Sequence, residues 1–282
     1  MSASAFEDYL AQWREASPQR ALAWLFLRHD ERICFGALAA LQHEWHKALR
    51  GVGEPQVAAA KLGWWREEMQ HAVQGEARHP LTRGLFADAR ANAVPLAFWT
   101  APVEAAIAEL EAPPSADFAA QCDRAAPLAT AGAELETRVW FGVGADSPRA
   151  ARVMLFADLT CRLRALADEV QRGRSPLPMN LLARHGLTIE GLCGDGPARR
   201  AALHDQLVEL ERSLAAAAAM PGPLGLFRAV DLQHDLAALR VAVRARDPLP
   251  ALRGPAHGIR SVLKTWRAAR TWRNMSPIES HP

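Results

Sequence analysis

Apolar residues recur three and four positions apart along most of this chain, and the alternating β-branched runs that mark strands are absent. That spacing puts apolar side chains on one face of a 3.6-residue helix, so it predicts helix after helix. The breaks fall at proline and glycine. Ser17-Pro18 has the form of a cap followed by a first-turn proline, and the apolar stretch 21–50 behind it has room for one buried helix or two. Residues 51–55 interrupt it, a helix over 56–74 follows and ends at Gly75, and His79-Pro80 opens the next segment. Further helices are expected over 82–93, 101–110, 116–140, 147–172, 197–220 and 258–275. Residues 173–180 contain two prolines and read as irregular, Pro221-Gly222-Pro223 is a break, and the tail 276–282 reads as frayed. No fixed-period repeat or domain linker stands out, so the chain reads as one all-α domain over 1–282.

Composition supports helix. Half the residues are hydrophobic and many of these are alanine, the strongest helix former and a poor one for sheet packing. A chain of 282 residues is long enough to bury about three quarters of its unfolded surface. The net charge of +2, from 33 basic and 31 acidic residues, gives no reason to expect a nucleic-acid partner. Cys34, Cys122, Cys161 and Cys193 lie far apart without a CxxC pair, which points away from a zinc ribbon or disulfide scaffold and fits a reducing cytoplasm. The first ten residues carry Glu7 and Asp8 and do not read as a signal peptide. No apolar stretch approaches the roughly 18 residues of a membrane span. A cytoplasmic location is expected, with any membrane contact peripheral, on the inner membrane.

Few residues announce chemistry by themselves. There is no Gly-rich phosphate loop, nucleophile elbow or Ser-His-Asp order, and Cys34 sits in an apolar setting that reads as core. Trp64 and Trp65 are adjacent and cannot share a helix face, so at most one points inward, to the core or to a pocket. Lys61, Arg66 and Glu68 surround the same helix and read as ion-pairing or cavity-facing. Arg172 and Arg174 flank Gly173 at a helix end, where cations meet either the helix dipole or a phosphate. Arg260, Lys264 and Arg267 form an i, i+4, i+7 stripe beside Val262, Trp266 and Ala269, suited to an anionic membrane, a protein partner or solvent.

Two segments carry a resemblance. Lys61-Leu62-Gly63-Trp64-Trp65-Arg66-Glu67-Glu68, then Gly75 and Arg78-His79-Pro80, resembles the Leu-x-Trp-Trp-Arg-x-Glu, Gly, His-Pro pattern of bacterial squalene/phytoene synthase-family proteins. Leu159-Thr160-Cys161-Arg162-Leu163-Arg164, running to Arg172-Gly173-Arg174-Ser175-Pro176-Leu177-Pro178, is similar to that family's Leu-Thr-Asn-Ile-Leu-Arg-Asp stretch and its Arg-Gly-Arg-x-Tyr-Leu-Pro ending. The resemblance is clearest over 20–187. It implies an isoprenoid (terpenoid) synthase-like helical bundle with a central cavity, and substrate-binding roles for Arg32, Trp65, Arg66, Arg172 and Arg174.

The family's members condense two prenyl diphosphates head to head, with two Asp-x-x-x-Asp motifs holding magnesium. Carboxylates four apart share a helix face, and hard oxygen ligands suit magnesium shared with phosphates. Here the first position of the second motif is Ala165 and the fourth after it is Glu169. Asp168 is adjacent but turned about 100° away, and is equally an i,i+4 partner for Arg164. No aspartate occurs from 31 to 50, where the first motif is expected, so Glu44, beside His43 and His46, is its sole carboxylate candidate. The family's tyrosine before Leu-Pro is here Pro176, which carries no donor. A magnesium set would therefore rest on Glu169, Asp168 and Glu44, and otherwise no cofactor is expected. The same erosion marks divergent members resembling mitochondrial complex I assembly factors. The sequence thus points to a pseudoenzyme that binds an isoprenoid or a protein partner, with a working magnesium-dependent prenyltransferase as the alternative.

Overall fold

Helix after helix is what the chain forms. In the computed structural model, which describes residues 3–253 and 258–275, every regular element is helical. The first half comprises α1 (Ala3–Ala16), α2 (Pro18–Trp24), α3 (His29–Arg50), α4 (Pro55–Val73), α5 (Pro80–Phe86), α6 (Ala89–Asn92), α7 (Leu96–Leu110) and α8 (Phe118–Phe141). Then come α9 (Pro148–Arg164), α10 (Leu166–Gln171), α11 (Met179–Arg184), a 3-10 turn (Glu190–Cys193), α12 (Pro197–Ala219), α13 (Leu226–Arg244), α14 (Pro248–Arg253) and α15 (Ile259–Met275). The tail 276–282, expected to fray, lies outside the described residues.

Two apolar clusters organise the bundle. One gathers Trp13, Phe35, Leu38, Leu62, Trp65 and Trp99 from α1, α3, α4 and α7. The other gathers Val153, Leu159, Leu163, Leu203, Leu210 and Leu239 from α9, α12 and α13. Helices α8 and α13 contribute to both, Trp140 and Phe227 to the first, Ala133 and Leu236 to the second. Within the first, Phe35 of α3 and Trp140 of α8 stack with centroids 3.6 Å apart and planes 9° from parallel. The all-α bundle is the one expected. Between α3, α8 and α13 lies a small cavity of about 10 Å³, bordered by Arg20, Phe35, Gln42, Trp140, Phe227 and Asp231.

Several boundaries differ from the sequence reading, each for a local reason. The stretch 21–50 splits at residues 25–28, where Arg32 donates to the carbonyls of Trp24 and Leu25, closing α2. Glu31 accepts from the Arg28 amide, opening α3. The helix expected over 82–93 is two short ones, because Asp88 accepts from the Arg90 amide and starts α6. Helix α7 begins at Leu96 and runs through Pro102 rather than starting beside it. Helices α1 and α13 were not anticipated, and the helix expected over 147–172 breaks at Ala165.

Candidate functional site

The paired tryptophans belong to a clasp. Trp65 is buried in the first apolar cluster, while Trp64 is half exposed. One turn on, the Glu68 carboxylate is buried and accepts from the Arg78 amide at 2.9 Å, the His79 amide at 2.8 Å and the Thr82 hydroxyl. His79 in turn accepts from the Leu81 amide and caps α5, with its ring 4.8 Å from Trp65. The motif Trp-Trp-Arg-Glu-Glu to His-Pro therefore works here by tying the end of α4 to the start of α5.

A second constellation joins α3, α7 and α9. Arg50, the last residue of α3, and Arg162, near the end of α9, both reach Glu109 Oε1 at 2.6 Å. Asp158, one turn before Arg162, pairs with it at 2.5 Å and lies 3.7 Å from Arg50. Burial would push the Asp158 carboxyl up, but Arg162, Arg50 and His46 outweigh it and hold the pKa at about 2. Arg162 is itself raised, its two carboxylates outweighing the burial that opposes its charge.

His46 on α3 and Cys161 on α9 flank this network. Protein surrounds both closely enough to move their pKa values, His46 down and Cys161 up, yet each keeps solvent-exposed surface. Towards α13, carboxylates and arginines are matched one to one. Arg164 Nη1 holds Asp235 at 2.7 Å, and Arg20 holds Asp231 at 2.5 Å. Burial raises the Asp235 pKa against the pull of Arg164. Asp231 and Asp235 are four apart on one face of α13, so this Asp-x-x-x-Asp spacing is real but claimed by arginines. Sequence reasoning missed it, though the spacing itself was the available signal.

The break at Ala165 belongs to the same region. Arg253 donates to the Arg164 carbonyl at 2.9 Å, and Ala165 leaves helical geometry with ψ near 20°. The expected i,i+4 partnership of Arg164 with Asp168 is corrected accordingly, since Arg164 turns to α13 and Asp168 faces solvent.

A squalene/phytoene synthase sequence profile matches residues 13–272. The chain belongs to that family. A crystal structure of a dehydrosqualene synthase in complex with ligand shares the fold at a TM-score of 0.72 and 14% identity, covering 96% of this chain and 97% of that one. Squalene synthase HpnC from Alicyclobacillus acidocaldarius matches at a TM-score of 0.52 and 17% identity, covering 96% and 94%. No curated protein matches.

Against the family pattern, the candidate site residues scatter. Arg32 closes α2, Trp65 is core and Arg66 is exposed on α4. Arg172 donates to the Asp168 carbonyl. Arg174 pairs with Glu169 at 3.1 Å and also donates to the Arg50 carbonyl at 2.8 Å, joining the second acidic position to the end of α3. Glu44 pairs with Lys47 on the surface of α3. Magnesium does not fit this donor set. Glu169 is buried against Arg174, Asp168 faces solvent, and no group of three His, Cys, Asp or Glu among the described residues can hold a metal ion. A dication here would also stand against Arg50 and Arg162, whose charges already satisfy Glu109 and Asp158.

Proposed function

We propose that this member of the squalene/phytoene synthase family no longer performs prenyl transfer and serves as a binding or assembly factor, of an isoprenoid or of a protein partner. The observation that carries this reading is the ion network at the facing ends of α3 and α9. Arg50, Arg162, Glu109 and Asp158 neutralise one another where the family's acidic motifs are expected. Head-to-head condensation needs a diphosphate leaving group neutralised by metal, and each carboxylate of the network already stands against an arginine. The small volume of the cavity between α3, α8 and α13, about 10 Å³, points the same way, because two long isoprenoid chains need a far larger apolar cavity.

One observation favours the other reading, magnesium-dependent condensation of two farnesyl or geranylgeranyl diphosphates. His46 and Cys161 beside the network are exposed to solvent, and Glu169 stands at the second acidic position. Incubating the protein with labelled farnesyl and geranylgeranyl diphosphates and magnesium separates the two. Recovery of unchanged substrate is the expected result, and a C30 or C40 product establishes the prenyltransferase.

Peripheral membrane contact through α15 is part of the proposal. Among the described residues no helix is long and apolar enough to cross a membrane. Helix α15 contains no acidic residue and exposes Ile259, Val262, Leu263 and Trp266. The side chain of Arg260, the first residue of the predicted basic stripe, lies outside the described residues. Cosedimentation with anionic vesicles, and none with neutral ones, is the expected outcome.

A further inference from the structure

A large concavity lies at the other end of the bundle. A groove of about 1390 Å³ is walled by the last turn of α8, the first turn of α9, the connection before α13, and α15. Helical rise along α9 puts Arg149 in this groove roughly 20 Å from Arg162 in the ion network.

The charges here follow a different rule from those of the ion network. Arg90, Arg138, Arg149, Lys264 and Arg267 line the groove, and among the described residues no carboxylate does. Arg90 is neutralised by Asp88 at 2.8 Å and Asp30 at 3.4 Å. The other four make no ion pair among the described residues. Two of them are held in place by neutral groups instead. Arg149 donates to the carbonyls of Gly222 at 2.8 Å and Ala218 at 2.9 Å. Arg138 donates to the Glu134 carbonyl and lies over the Phe98 ring at 3.6 Å. Such acceptors fix a guanidinium without cancelling its charge. Burial alone lowers the pKa of Arg149 and of Lys264, with no neighbouring carboxylate opposing it. The result is a partly desolvated concentration of positive charge, which attracts an anion and loses desolvation penalty when one arrives.

Its floor is apolar and complete. Trp140, Leu224, Leu232 and Trp272 form it, and the Trp272 indole already donates to the Leu224 carbonyl at 2.7 Å. Phe141 and Leu263 extend the apolar surface towards the rim.

We propose that this groove is a binding site for a single amphiphile with a phosphate or diphosphate head, separate from the ion network at the ends of α3 and α9. The head sits among Arg138, Arg149, Lys264 and Arg267, and the hydrocarbon tail lies along Phe141, Leu224 and Leu263. The site stands whether or not chemistry takes place at the other end of the bundle.

Calorimetric titration of the full chain tests it, using dihexanoyl phosphatidic acid below its micellar concentration, dihexanoyl phosphatidylcholine and inorganic phosphate as probes. Saturable one-to-one binding of the phosphatidic acid is expected, with the other two at least tenfold weaker. The double variant Lys264→Gln/Arg267→Gln, whose altered residues carry no backbone hydrogen bond, is expected to lose at least tenfold in affinity at an unchanged Tm. Arg138→Gln serves as a second variant with the same expected loss. Arg240→Gln, an exposed cation paired with Glu211 away from the groove, is expected to bind as the native protein does. Absence of phosphatidic acid binding, equal binding of phosphatidylcholine or of phosphate, or native affinity in both groove variants overturns the proposal.

Discussion

Glu109 and Arg162 meet at 2.6 Å between α7 and α9, and the same carboxylate oxygen receives Arg50 from α3. One acidic side chain thus joins three helices and satisfies two cations that are almost wholly shielded from water. Replacing it leaves both without this counter-charge. Glu109→Ala is expected to lower the unfolding free energy by about 3–5 kcal/mol, read from urea denaturation. The exposed Glu104→Ala on the same helix is expected to change it by less than about 0.5 kcal/mol.

The neighbouring Asp158 gives a pH signature. Its folded pKa of about 2 lies below the usual carboxylate value of 3.8. The unfolded chain therefore takes up the proton first as pH falls, and the stabilisation, about 2 kcal/mol, is present above pH 4 and lost towards pH 2. Asp158→Asn is expected to be less stable than the native protein at pH 7 by roughly that amount. The gap between their urea midpoints narrows as the pH is lowered from 5 to 3. A gap that stays constant would show that the charge of Asp158 contributes nothing.

Glu68 provides a test of the clasp. Removing its carboxylate strands two backbone amides and leaves the Thr82 hydroxyl with the His79 carbonyl as its remaining acceptor. Glu68→Ala is expected to cost about 3 kcal/mol, while the exposed Glu67→Ala costs under about 0.5 kcal/mol. Faster amide exchange at residues 78–82 is the accompanying local sign.

Restoring one missing aspartate should not rebuild a metal site. Ala165→Asp supplies a carboxylate at the second motif, but Glu169 stays paired with Arg174 and Arg50 at the end of α3 stays paired with Glu109. Its melting temperature is expected to be the same with and without millimolar magnesium. A magnesium-dependent rise in Tm would mean that the arginines yield to the metal.

Much of the fold was legible, because alanine-rich helices with a 3.6-residue apolar period leave a strong local signal. Helix α13 escaped that signal because Asp231 and Asp235 stand on its buried face among Leu232 and Leu236 and interrupt the apolar pattern. The break at Ala165 was hidden for the opposite reason. Alanine favours helix, and what stops α9 there is tertiary, Arg253 on the Arg164 carbonyl and Asp235 on the Arg164 guanidinium. At the site, the absence of aspartate from 31–50 and at 165 was readable. What replaces the acidic motifs was not, because Arg50, Glu109 and Arg162 are brought together from three distant helices and no spacing rule connects them.

If the ion network at the ends of α3 and α9 has displaced metal-assisted prenyl transfer, as proposed above, the protein does not release pyrophosphate from prenyl diphosphates. Continuous measurement of pyrophosphate from farnesyl and geranylgeranyl diphosphates, with and without magnesium, is the test. Release no faster than in buffer alone is expected at every magnesium concentration. Magnesium-dependent release that saturates with substrate and accompanies a C30 or C40 product would contradict it.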